Sequence, residues 1–156
     1  MPYGGPMVEL TPQLATDFVH QSVPAVGRLG VVVVAIAPGE VTLRVPLEGN
    51  ANHMGTMYAG ALFALVELPG GLIPLAVLDP GRYVPIVTGI EIQFVAAARS
   101  DVTLVARMEP EDLRALAARA EAEGQAEFSL ALEGQDATGR TVVTSRADYL
   151  LRVRRS

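Results

Sequence analysis

Cysteine is absent from the 156 residues, which removes disulfide bridges, thiol nucleophiles and thiolate metal sites together. Lysine is absent too: all twelve basic residues are arginine, so neither Schiff-base chemistry nor a P-loop lysine is available. Aromatic residues make up 5% and the net charge is −5. No basic stripe interleaves with aromatics, and a nucleic-acid partner is not expected. The two histidines, His20 and His53, lie too far apart in sequence to suggest a metal site, and no metal is expected. His20 reads as a residue on a helix face and His53 as a solvated loop residue. The stretch 61–78 approaches the length of a membrane span but contains Glu67, Pro69, Gly70, Gly71 and Pro74, which favours a buried, kinked helix over a membrane segment. The first ten residues show no basic region followed by an apolar run, so no signal peptide and a cytoplasmic location are expected.

What the chain has in excess is apolar surface. Half of its residues are hydrophobic and the mean hydropathy is +0.33. With no membrane span, an oligomer interface and a lipid-like pocket are the outlets for the surplus. The patterning describes one α+β domain over 1–156 with an antiparallel sheet. Thr11-Pro12 reads as a cap followed by proline at the first helical position, giving a helix over about 11–21 with Leu14, Phe18 and Val19 on its apolar face. Runs at 31–37 and 41–47 form a hairpin around Pro38-Gly39-Glu40. A central helix spans about 57–78 with a break at 69–71. Residues 83–95 form a long strand with Ile86, Thr88, Ile90, Ile92 and Phe94 on one face. Strands at 102–108, 126–132 and 141–153 follow, with a helix at 110–123 inserted after the first of them and stopped by Gly124.

The chemistry concentrates in Asn52-His-Met-Gly-Thr-Met-Tyr-Ala-Gly-Ala-Leu-Phe-Ala-Leu-Val-Glu67, a polar glycine-bearing loop that enters an apolar helix carrying one carboxylate. The N–H groups of Ala59 and Gly60, at the positive end of the helix dipole, suit a developing oxyanion. Glu67 suits a general base or a nucleophile. Eight residues at ~1.5 Å rise put the carboxylate about 12 Å along the axis from Ala59. A shared site then needs Glu67 from one subunit and the loop from another. A carboxylate in so apolar a helix is either reactive or paired with an arginine, and Asn52 either orients a reacting group or satisfies a turn.

The register of Asn52, Gly55, Gly60 and Glu67, together with the element order, resembles the hotdog-fold acyl-CoA thioesterases, in particular the phenylacetyl-CoA thioesterase-like branch. The resemblance implies an antiparallel sheet wrapped around a long central helix. It also implies hydrolysis of an acyl-CoA or acyl-carrier-protein thioester, no cofactor beyond the coenzyme A of the substrate, and a homodimer or dimer of dimers. By the same resemblance Asn52 holds the attacking water or the reacting group and Thr88 assists from the facing strand. Tyr58, Met57, Gly55, Phe63, Val95 and Arg99 line the substrate path. Three departures stand out: Tyr58 replaces a frequent histidine, Ala59 the first glycine of a pair, and Glu67 the usual aspartate. The helix at 110–123 replaces a tight hairpin. A non-catalytic acyl-thioester or lipid-binding protein, its oxyanion site spoiled by Tyr58 and Ala59, is the competing expectation. A dehydratase would need a histidine paired with an acid, and neither histidine is placed for it.

Overall fold

Buried and exposed side chains alternate without a fault along Gln125–Gln135, the pattern of a strand with one face on a core and one in water. A computed structural model describes residues 9–155; the expectation about a leader falls largely on residues 1–8, outside the described residues. The elements are α1 (Pro12–Ser22), α2 (Pro24–Leu29), β1 (Val32–Ala37), β2 (Glu40–Val45), α3 (Ala59–Glu67), α4 (Pro69–Leu75), β3 (Tyr83–Phe94), β4 (Val102–Arg107), α5 (Pro110–Glu123), β5 (Gln125–Gln135) and β6 (Thr141–Val153). One six-stranded sheet has the order β1-β2-β4-β5-β6-β3, and every pairing is antiparallel. It is the hotdog arrangement, the sheet holding α3 and α4 against its apolar face. No helix among the described residues is long and apolar enough to cross a membrane.

The core forms where Leu43, Leu104, Leu132 and Leu151 of the sheet meet Leu62, Leu65, Leu72 and Ile73 of α3 and α4. Helix α5 has the expected bounds, ends on Gly124 at φ 86°, and buries Leu113, Leu116, Ala117 and Ala120. The ladder between β4 and β5 holds two residue pairs, Thr103 with Gln135 and Leu104 with Gly134. Thr11 caps α1 through its side chain, which accepts from the Leu14 N–H.

Three expectations need correction. A second short helix, α2, follows Pro24 and stops at Gly30: proline ends one helix and starts the next, because the first turn has no use for its missing N–H. The same physics moves the central break. Helix α3 stops at Glu67, Pro69 is the first residue of α4, and α4 ends at Leu75. The helix also starts at Ala59 and not at Met57, whose N–H bonds to the Ala98 carbonyl at 2.9 Å. Finally, the register of β3 on β6 slips between Val87 and Gly89, so Thr88 is the extra residue of a β-bulge. The bulge inverts the parity of the strand. Val87 stands opposite the buried Tyr149, and beyond the bulge Ile90 stands opposite the buried Ala147. Ile86 therefore falls on the opposite face from Ile90 and Ile92.

The break between α3 and α4 is repaired from the sheet. In an unbroken helix the Gly71 N–H would reach the Glu67 carbonyl, but here it bonds to Leu68 O at 3.0 Å. The Tyr149 hydroxyl donates to Glu67 O at 2.9 Å instead, and burial pushes its pKa well above the usual phenol range, so it stays a donor. Its ring stacks on Phe128 with centroids 5.0 Å apart. A methyl group at Gly70 would overlap that ring. Tyr149→Phe should therefore cost about 1–3 kcal/mol, the penalty of a partly buried carbonyl left unpaired, with each kcal/mol lowering Tm by ~2–4 °C in a domain of this size. Gly70→Ala should cost more. A thermal melt of Tyr149→Phe that coincides with the parent's would show that water satisfies the carbonyl equally well.

Candidate active site

The loop between β2 and α3 is held by two asparagines. Asn50, buried, donates from Nδ2 to the carbonyls of Leu29 at 2.7 Å and Pro46 at 2.9 Å, and its own carbonyl accepts from the Tyr58 N–H. Asn52 closes the tip: its Oδ1 accepts from the N–H groups of Met54 at 2.9 Å and Thr56 at 3.2 Å, and its Nδ2 donates to Thr56 Oγ1 at 2.9 Å. Gly55 takes φ 72° in that turn. The Asn52 amide is thus engaged with its own loop, which is the turn role weighed above.

This loop delivers the chain to α3 with Tyr58 as N-cap and no side-chain cap. The N–H groups of Ala61 and Leu62 fold back onto the Tyr58 carbonyl. Ala59 and Gly60 occupy the first two helical positions, whose N–H groups find no acceptor within a helix. The Tyr58 ring lies over Gly60, and a methyl there would overlap it. Tyr58 is itself 57% exposed.

Glu67 ends the same helix, eight residues on and so about 12 Å away. It is half-buried, and burial raises its pKa above the ordinary carboxylate value. No salt bridge among the described residues involves it, which disposes of the arginine pairing there. It stands at the wall of a cavity of about 360 Å³ between α1, α4, β3 and Tyr149. Desolvated and without a counter-ion among the described residues, such a carboxylate holds a proton more readily than one in water.

The remaining expected residues distribute unevenly. Met57 belongs to the core at 5% exposure, because its backbone bridges Ala51 and Ala98 and turns the side chain inward. Thr88 is exposed at the bulge, and Phe63, Val95 and Arg99 are exposed as well. None of these lines the cavity beside Glu67, nor do Asn52, Gly55, Tyr58, Ala59 or Gly60. Within one chain the two halves of the expected site stay apart. His20 is structural: Nε2 donates to the Val31 carbonyl at 2.6 Å. Tyr149 and Gly71, both on the cavity wall, were not singled out from sequence. A tyrosine on the core-facing parity of β6 must find an acceptor, and carbonyls freed at Pro69 were the place to look.

Among solved structures, a Pseudomonas aeruginosa protein of unknown function, described as a probable thioesterase, is 40% identical over 96% of this chain and 100% of its own, with a TM-score of 0.87. A protein of unknown function from Chlorobaculum tepidum is 19% identical over 92% of this chain and 98% of its own, with a TM-score of 0.78. A Haemophilus influenzae thioesterase is 17% identical over 92% of each chain, with a TM-score of 0.71; these two likenesses speak for the fold alone. No curated protein matches the sequence. The family model "Domain of unknown function (DUF4442)" matches residues 11–151, and the chain belongs to that family, within the hotdog fold.

Proposed function

We propose that this protein is a cytoplasmic thioesterase that hydrolyses an acyl-CoA or acyl-carrier-protein thioester to the free acid and the thiol, with no cofactor other than the carrier arm of the substrate. The observation that carries the reading is Glu67, a half-buried carboxylate without a counter-ion among the described residues, on the wall of an apolar cavity. Such a group destabilises the fold that holds it, and a reactive role accounts for its presence. The 40% identity to a Pseudomonas aeruginosa protein described as a probable thioesterase supports the same class.

In the general-base form, Glu67 takes a proton from water as the water oxygen attacks the thioester carbonyl carbon. The N–H groups of Ala59 and Gly60 hold the oxyanion, donors of a kind worth about 3 kcal/mol each. The C–S bond then breaks and the departing thiolate recovers the proton from the Glu67 carboxyl. In the nucleophilic form, the Glu67 carboxylate attacks the carbonyl carbon and expels the thiolate; water then cleaves the anhydride to the free acid and the Glu67 carboxyl, which returns its proton to the thiolate. Either form needs the helix start of a second copy, since ~12 Å of α3 separates the groups in one chain. Edge strand β3, with Val87 and Phe94 exposed and Val95 exposed just beyond its end, is the surface on which that copy would pair. Asn52 positions the loop and Thr88 assists from the strand; Tyr58, Gly55, Phe63, Val95 and Arg99 are assigned to the substrate path between the copies, and Met57 is withdrawn from it.

A second reading, non-catalytic binding of an acyl thioester or lipid, is favoured by one observation: the Tyr58 ring rests on Gly60 at the proposed oxyanion site. Thiol release from a panel of acyl-CoA substrates separates the two. Turnover near ~1 s⁻¹, ordinary for an enzyme, eliminates the binding-only reading; tight acyl-CoA binding without turnover eliminates the thioesterase.

Two further outcomes follow from this geometry. The protein should sediment as a dimer or dimer of dimers, and a monodisperse monomer at micromolar concentration would remove the two-subunit site. Glu67→Gln should lower kcat more than tenfold, at least ~1.4 kcal/mol of transition-state stabilisation. The parent's kcat/KM should rise with pH through an apparent pKa above the usual ~4.3 of glutamate. The stability effect runs the other way. A carboxyl whose pKa is raised on folding contributes stability below its unfolded pKa and loses it as pH rises through the folded value. Glu67→Gln should thus melt above the parent at pH 7, with the gap closing towards pH 4. A variant with full activity and the parent's pH-dependent melting would remove Glu67 from the mechanism.

A further inference from the structure

The cavity beside Glu67 has an axis that the strand register defines. Val87 pairs with Tyr149, and Tyr83 pairs with Val153. Tyr149 bonds to Glu67, so Glu67 marks the first end. Arg154, whose N–H donates to Arg82 O, lines the cavity together with Asp79, and the two mark the second end. Four residues of antiparallel strand separate the ends, about 14 Å at ~3.4 Å per residue. Between them the wall is apolar, built from Leu68, Leu72 and Leu75 of α4, Val84 and Val87 of β3, and Phe18 of α1.

The length sets the capacity. An extended chain advances ~1.2 Å per bond, so ~14 Å accommodates about eleven bonds. We infer that the cavity is the acyl channel of the site and that it selects acyl chains of ~10–12 carbons, with Gly71 as the residue that keeps it open; this rests on the thioesterase reading. Gly71 lines the channel, and a Cβ built on it meets nothing within 4 Å. The free space beside it is where the chain passes. A shorter acyl group leaves the far end unfilled, and a longer one must carry its tail past Asp79 and Arg154 into water.

The channel is tested on the full-length protein with acyl-CoA substrates of two to sixteen carbons. The expected result is a kcat/KM that climbs ~fourfold per methylene, the gain for burying one such group, and stops climbing at ~10–12 carbons. Gly71→Leu and Gly71→Phe place their side chains in the channel; neither position nor backbone opposes them, since Gly71 is not among the positive-φ glycines and helices favour other residues over glycine. Both should lower the ratio of kcat/KM for decanoyl-CoA over butyryl-CoA at least tenfold, with Gly71→Ala in between. A chain-length profile that is flat, or a ratio untouched by Gly71→Leu in a variant whose melting curve shows it folded, overturns the proposal. If no substrate of any length is hydrolysed, the thioesterase reading fails, and calorimetry with decanoate then decides the channel alone. Decanoate binding that Gly71→Leu abolishes supports it, and no decanoate binding to the parent overturns it.

Discussion

Proline at position 69 has no N–H for the Leu65 carbonyl and a ring that crowds it, and much of the molecule's organisation follows from the division of the central helix there. In the turn after the break the Gly71 N–H closes onto Leu68, which leaves the Glu67 carbonyl without its helical partner. Tyr149 reaches up from the sheet to supply the donor, and Gly70 has no side chain because the tyrosine ring fills that space. The hydroxyl thereby does two things: it satisfies a backbone group and fixes the helical pair over β6. Glu67 stands at the resulting joint, where the helix no longer covers its carboxylate and the cavity begins. An unbroken helix through this segment would turn the same side chain against one continuous apolar surface.

Much of this was legible in the sequence where local rules act alone. Helix α5 matched its expectation because Pro110 starts it, Leu113, Leu116 and Ala117 give its face, and Gly124 stops it; none of that depends on distant residues. The β5 strand alternates cleanly, and the hairpin at Gly39 was signalled by its own turn residues. Strand β3 was misread because a bulge is a two-strand event. Nothing within Tyr83–Phe94 announces that Thr88 has no partner; only β6 alongside it does. Asn52 shows the limit of a motif: the register with the thioesterases was visible, but whether the amide faces a substrate or its own Thr56 depends on how the loop closes. Glu67 was legible as an anomaly, since one carboxylate among apolar helix neighbours has few physical explanations. Its lack of an arginine partner had to come from three-dimensional placement.

Opposite demands meet at that residue. The helix needs apolar side chains to pack on the sheet, and Leu65, Val66 and Leu68 supply them around it. A carboxylate there gains nothing from packing and loses hydration. The break in the helix relieves the conflict in part, leaving Glu67 half-exposed to a cavity and not sealed in the core. Tyr149 bonds to the backbone carbonyl of that same residue, so the group that closes the helix break also fixes the joint at which the carboxylate stands.

Strand β3 leaves one edge of the sheet open along twelve residues, and an open edge of that length invites any passing extended chain to add itself. Two irregularities guard it. Pro85 removes a donor from the row, and the bulge at Thr88 breaks the spacing of the groups that remain. A regular strand from an unfolded or unrelated protein meets a ladder with a missing rung and a change of step, and cannot zip along its whole length.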